Sequence, residues 1–266
     1  MANFEVMVFW RQWTVTTNSC RQTAAAVFLV ERAGKILITM RIALQRKMKG
    51  RGFMEVNVLA RLPNPIILKK LMKIQASLNI ILCQEKWLRY HSFVQDWDEG
   101  VCMAKIDNGA GDHLIILFSP VGSIIKGFDH ESELSPYAQD EHKVLQGIYD
   151  EVPKELLSLL EDDAIEKDNV TFCIWRKNSD TNWHKGNVEI PKGGSDGSDF
   201  LVGCIFHTPE DFIEFAIDYF ELSPSIDVVA KIYDDFPITE EMISILNPDC
   251  DVMGVLQELE LLRLRS

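Results

Sequence analysis

The chain lacks an apolar run long enough to cross a bilayer, so no transmembrane helix is expected. The nearest candidate, Thr23 to Val30, is broken by Glu31 and Arg32. As a secretory signal it has no small-residue cleavage site, and Lys35 and Arg41 follow too soon. None of the cysteines, at 20, 83, 102, 173, 204 and 250, forms a C-x-x-C pair, and no histidine stands at zinc-finger spacing from them. Cys102, Cys173 and Cys204 lie inside apolar runs, where a free thiol behaves as a small hydrophobe. They read as reduced core residues of a cytoplasmic protein, not as a disulfide framework. Gly193-Gly194-Ser195-Asp196-Gly197 has the Gly-x-Ser-x-Gly spelling, but no strand leads into it, so it does not read as a nucleophile elbow. Gly193-Gly194-Ser195 lacks the strand, helix and trailing lysine of a phosphate loop. The turns Asp107-Asn108-Gly109-Ala110-Gly111-Asp112 and Ser195–Asp199 lack the alternating acids and closing glutamate of a calcium loop. No cofactor and no metal is therefore expected.

Positive charge is scarce, except at the front. Residues 1–64 hold ten basic and three acidic side chains, a net +7, whereas residues 65–266 hold 17 and 37, a net −20. So large a split separates two segments of opposite character. The acidic part repels phosphate and anionic lipid and attracts basic proteins, which argues against nucleic acid and membrane as its partners. Within the front segment, 28–30 and 36–38 can form a hairpin, and Arg46-Lys47-Met48-Lys49-Gly50-Arg51 is a basic cluster. An organelle leader, a nucleic-acid arm and an extension ahead of a start at Met54 or Met72 all fit it. The last is preferred, with 1–64 as a poorly ordered basic segment and 65–266 as one acidic domain.

Pro63 and Pro65 punctuate that break, and apolar positions from Ile66 to Leu82 follow helical spacing, with Lys69, Lys70, Lys73 and Gln75 opposite; a helix is expected to about Trp87. A meander of strands is expected at 101–106, 114–118 and 123–128. Ser135-Pro136 caps a helix expected to reach Ile148, and Pro153 opens another to Leu160. Val170 to Arg176 is the strongest strand by β propensity, and the 193–199 loop reads as flexible. Phe200 to Phe206 fits a strand or a helix start. Thr208-Pro209-Glu210-Asp211, Pro224, Thr239 and Asp249 or Asp251 begin the helices of the last third. The pattern is α+β: a mainly antiparallel sheet, helices on one face, and a helical C-terminal third.

Two groups of candidate site residues stand out. Asp129-His130-Glu131 sets an imidazole between carboxylates just after a strand, the composition of an acid–base pair. No nucleophile or oxyanion donor is assignable beside it, and an exposed polar turn explains it as well. Trp97, Asp98 and Glu99, with Trp183 and His184, combine aromatic bodies and charge in the manner of interface anchors. The same residues also suit the edge of a sheet.

Trp97-Asp98-Glu99-Gly100, Gly127–Ser132 and Thr171–Arg176 together resemble a family of small uncharacterised bacterial cytosolic proteins, over residues 66–262. The likeness implies no catalytic residues. The general organisation is also similar to that of the SUKH-type immunity proteins, acidic α+β domains that bind toxins. The expectation is a non-enzymatic module that binds a basic protein partner. The alternative is a small hydrolase using Asp129, His130 and Glu131, with Trp97 or Trp183 shaping its pocket.

Overall fold

The computed structural model describes residues 57–263, so the expected 28–38 hairpin and the 46–51 basic cluster lie outside the described residues. Six strands form one antiparallel meander: β1 (His91–Asp98), β2 (Val101–Asp107), β3 (His113–Ser119), β4 (Gly122–Phe128), β5 (Phe172–Lys177) and β6 (His184–Lys185), in that spatial order. The eight α-helices among the described residues are α1 (Val58–Arg61), α2 (Pro65–Leu82), α3 (Lys154–Leu157), α4 (Ser198–Val202), α5 (Pro209–Phe220), α6 (Ile226–Tyr233), α7 (Glu240–Leu246) and α8 (Val252–Arg263). The fold is α+β, with an antiparallel sheet and a helical C-terminal part.

Both faces of the sheet are buried, because successive side chains point to opposite sides. Leu114, Ile116 and Phe118 of β3 join the larger core, packed under α2 and the C-terminal helices. Ile115 and Leu117 join a second core with Ile148, Val152, Leu156, Leu160 and Ile165. The long helices thus keep to one face. The other is covered by the 144–165 segment, whose only α-helix is the single turn α3. Each fully buried Leu, Ile or Phe contributes roughly 1.5–3 kcal/mol.

Local signals explain most elements. Asn64 caps α2 by accepting a hydrogen bond from the Ile67 N–H, and Pro65 fills the first helical position. Thr208 and Thr239 cap α5 and α7 in the same way. The stretch 200–206 resolves as helix α4 followed by a turn.

Several expectations need correction. Helix α2 ends at Leu82, where Cys83 turns to extended backbone, and not near Trp87. Gln75 is buried among the lysines' expected polar face, its amide paired with both the N–H and the C=O of Phe206. The helix expected from Pro136 to Ile148 shrinks to one 3-10 turn, Pro136–Ala138. Between 139 and 147 only Val144 and Leu145 are apolar, too few to bury a helical face. A strand precedes the expected first one: Trp97 and Asp98 end β1, and Glu99-Gly100 is the hairpin turn. The folded unit also begins before Pro65. Val58 and Leu62 are in the larger core, Arg61 pairs with Asp199, and the Pro63 carbonyl accepts from Trp183 Nε1 at 2.8 Å.

Candidate functional site

One end of the sheet gathers the polar groups. The β2–β3 turn (108–112) and the exit of β4 (129–133) are neighbours there because His113 pairs with Phe128. Asn108 organises the turn: its side-chain oxygen accepts from the N–H of Ala110 and of Asp112, and its amide donates to Asp112 Oδ2 at 2.7 Å. That fixes the fully buried Asp112 carboxylate beneath His130. Asp112 Oδ1 lies 2.6 Å from His130 Nδ1 and accepts the His130 backbone N–H at 2.9 Å. The ring is 40% exposed, and Nε2 makes no hydrogen bond among the described residues. A buried carboxylate on Nδ1 orients an imidazole and leaves Nε2 for a proton or a ligand.

Asp129 is buried beside this pair, and its Oδ1 accepts the Glu131 N–H at 3.0 Å. One ligand-type atom each from Asp112, Asp129 and His130 lies within 4.8 Å of the others, so these three are the side chains that can converge on a cation. Glu131 points outward and is exposed. Among the described residues no Ser, Thr or Cys side chain is hydrogen-bonded to His130.

The 193–199 loop, expected to be flexible, is instead a fastened wall of this end. Thr171 Oγ1 donates to the Asp196 carbonyl at 2.7 Å and accepts the Asp129 N–H, while Ser132 Oγ donates to the Ser195 carbonyl at 2.6 Å. The Asp196 carboxylate is buried and paired with Lys185 Nζ at 2.6 Å. Gly197 is required here: at φ +79° any Cβ would sit 2.3 Å from the Asp129 Cβ.

The remaining predicted residues are dispersed. The Trp97–Glu99 hairpin stands at the far end of β2 from His130, a strand length of about 20 Å. Trp97 packs on the second core, and Asp98 and Glu99 are exposed. Trp183 is buried in the first core, so it cannot present a surface to a partner and shares no pocket with Trp97. His184 is half exposed and stacks on Trp175 at 5.9 Å.

Two features escaped the sequence reading. The first is Lys126, fully buried on the second-core face of β4. Its ammonium meets His113 Nε2 and the Ile165 carbonyl, each at 2.9 Å. Burial pushes Lys126 down to about 7, and burial plus the lysine charge pushes His113 down to about 4. Beside them opens a pocket of about 260 Å³ whose walls include His113, Ile115, Phe128, Tyr137 and Ile165 together with the charged Lys105, Asp107 and Glu166. A lysine in the middle of an apolar strand, in phase with Ile124 and Phe128, was the available signal. The second feature is a groove of about 380 Å³ along Leu160–Asn169, lined by Glu161, Asp162, Asp163, Glu166 and Asp168. Lys167 spans it to Glu161.

No helix among the described residues is long and apolar enough to cross a membrane. The sequence matches no protein family, and neither a curated protein nor a solved structure is similar to it.

Proposed function

We propose that the domain is a non-enzymatic protein-binding module that takes a basic partner on the acidic segment covering the second face of the sheet. The observation that carries this reading is the charge of that segment. Residues 140–168 hold ten carboxylates, every one exposed, against three lysines. Five of the ten line the Leu160–Asn169 groove. Such a concentration of one sign on a shaped surface speeds and selects association with a cationic protein. Trp97 borders the same face, with Asp98 and Glu99 beside it, which extends the acidic surface along the β1–β2 hairpin. A cytoplasmic, toxin-neutralising role is the form of this activity that the likeness to SUKH-type immunity proteins supports.

The test is capture of basic proteins at low salt by the native chain and by a Glu161→Gln, Asp163→Asn, Asp168→Asn variant. Binding lost in the variant and in about 0.5 M salt supports the reading. Equal capture by both proteins sinks it.

A second reading, water activation by His130, is favoured by the Asp112–His130 contact at 2.6 Å. With no nucleophilic side chain bonded to the ring, water at Nε2 is the group this geometry can activate. It requires turnover of chromogenic esters or phosphoesters that disappears in His130→Gln. A panel with no His130-dependent turnover removes it.

A further inference from the structure

Lys126 stands where a charge is least stable. It is fully buried in the second core, and the two partners of its nitrogen, the His113 ring and the Ile165 carbonyl, are both neutral acceptors. Its cross-strand neighbours, Ile115 and Cys173, are apolar or thiol. The carboxylates that act on it from a distance belong to Glu166 and Asp168, and Lys105 opposes them. A salt bridge that would explain such a lysine structurally is thus missing among the described residues. What lies next to it is space: His113 and Ile165, its two hydrogen-bond partners, are also walls of the 260 Å³ pocket.

We propose that Lys126 is a carbonyl-capturing amine, and that a small aldehyde or ketone entering the pocket beside His113 condenses with its Nζ to form an imine. The free amine attacks the carbonyl carbon, and a proton passes from nitrogen to the new alkoxide to give the carbinolamine. The C–O bond then breaks and water leaves. One water is released for each imine formed, and nothing is oxidised or reduced. His113 Nε2, at 2.9 Å from Nζ, is placed to take the proton from nitrogen and return it to the departing oxygen. Two physical facts favour the chemistry. Burial keeps His113 neutral at pH 7, able to accept a proton, and holds a substantial share of Lys126 as the nucleophilic free amine. Ile115 and Phe128 give the pocket an apolar side facing the charged Lys105, Asp107 and Glu166, and its volume of about 260 Å³ suits a small molecule. Lys126 is not itself a wall of the pocket, whereas His113, which contacts its Nζ, is, so the ring must rotate for the carbonyl to reach the amine. This pocket adjoins the acidic groove and shares Glu166 and Asn169 with it, but neither proposal needs the other.

Reductive trapping with propionaldehyde and cyanoborohydride on the full chain, with modified peptides mapped by mass spectrometry, tests the idea. At pH 7 Lys126 is expected to be alkylated at least about tenfold faster than the median lysine, because an ordinary lysine is almost wholly protonated there. The rate is expected to rise with a midpoint near 7, and the preference to vanish in urea. In Lys126→Met the remaining lysines should react as in the native chain. Modification of Lys126 no faster than the median, a midpoint near that of ordinary lysines, or a preference that survives in urea each overturns the proposal.

Discussion

Asn79 of α2 holds β1 in place through His91: its amide nitrogen meets His91 Nδ1 at 3.2 Å, and its oxygen accepts the backbone N–H groups of Tyr90 and His91. The same amide donates to the Gln75 carbonyl, and His91 Nε2 reaches the Cys204 carbonyl at 3.0 Å. Nδ1 is therefore the acceptor and Nε2 carries the proton. Both residues are fully buried, so no water replaces a lost partner.

Asn79→Ala strips the N–H groups of Tyr90 and His91, at the start of β1, and the His91 ring of their partner at once. Each buried unsatisfied group costs about 1–3 kcal/mol, so a loss of about 3 kcal/mol or more is expected. Urea unfolding followed by tryptophan fluorescence measures it. A change below about 1 kcal/mol would show that β1 is held by packing alone.

Acid should unfold the domain earlier than its carboxylates require. Burial lowers His91 from 6.5 to about 4. Between those values the unfolded chain binds a proton that the folded one refuses, so stability falls as pH drops from 6.5 towards 4. His113 adds to the slope in the same window. His91 alone amounts to about 3 kcal/mol over the whole span. Urea midpoints at pH 7, 5.5 and 4.5 read it directly; midpoints flat from 7 to 5 would contradict the burial of both rings.

The sequence revealed the helices whose ends carry caps and the strands whose side chains are uniformly apolar. Thr208-Pro209 and Thr239 act within one turn, so their effect is local and readable. Strand β1 was missed because it is an edge strand, alternating buried and exposed residues through Gln95, Asp96 and Asp98. Its identity depends on the partner strand, which no local pattern reports. The contact of His130 with Asp112 spans 18 residues and rests on the pairing of His113 with Phe128. The motif reading found the histidine but coupled it to its chain neighbours, whereas the carboxylate on its ring comes from Asp112 in the β2–β3 turn. Fixing of the 193–199 loop was equally hidden, since its partners Thr171 and Ser132 lie far away in sequence.

Lys126→Met should stabilise the domain at neutral pH. Folding lowers Lys126 from 10.5 to about 7, so between those values the unfolded chain holds the extra proton and native stability rises with pH. Below pH 7 the full penalty applies. Methionine removes it but leaves the Ile165 carbonyl without its donor, which offsets part of the gain. A net increase of about 1–3 kcal/mol is expected at pH 6–7, shrinking towards pH 9. Thermal unfolding of the two proteins at pH 6, 7.5 and 9 provides the comparison. A variant less stable at every pH would mean that the lysine's hydrogen bonds outweigh its desolvation.

The start of the folded unit can be measured by comparing chains that begin at residue 57 and at residue 65. The charge break placed the boundary at Pro63–Pro65, yet Val58 and Leu62 are each only 7% exposed. Removing them uncovers apolar surface on the larger core, a loss of roughly 1.5–3 kcal/mol for each side chain. The same cut takes away the Pro63 carbonyl that accepts from the buried Trp183 and the Arg61 partner of Asp199. An unpaired indole N–H in the core costs a further 1–3 kcal/mol or so. The shorter chain is therefore expected to unfold at a clearly lower urea concentration, with altered Trp183 emission. If both chains unfold together, the 58–62 turn adds nothing to the fold, and the charge break marks the true boundary.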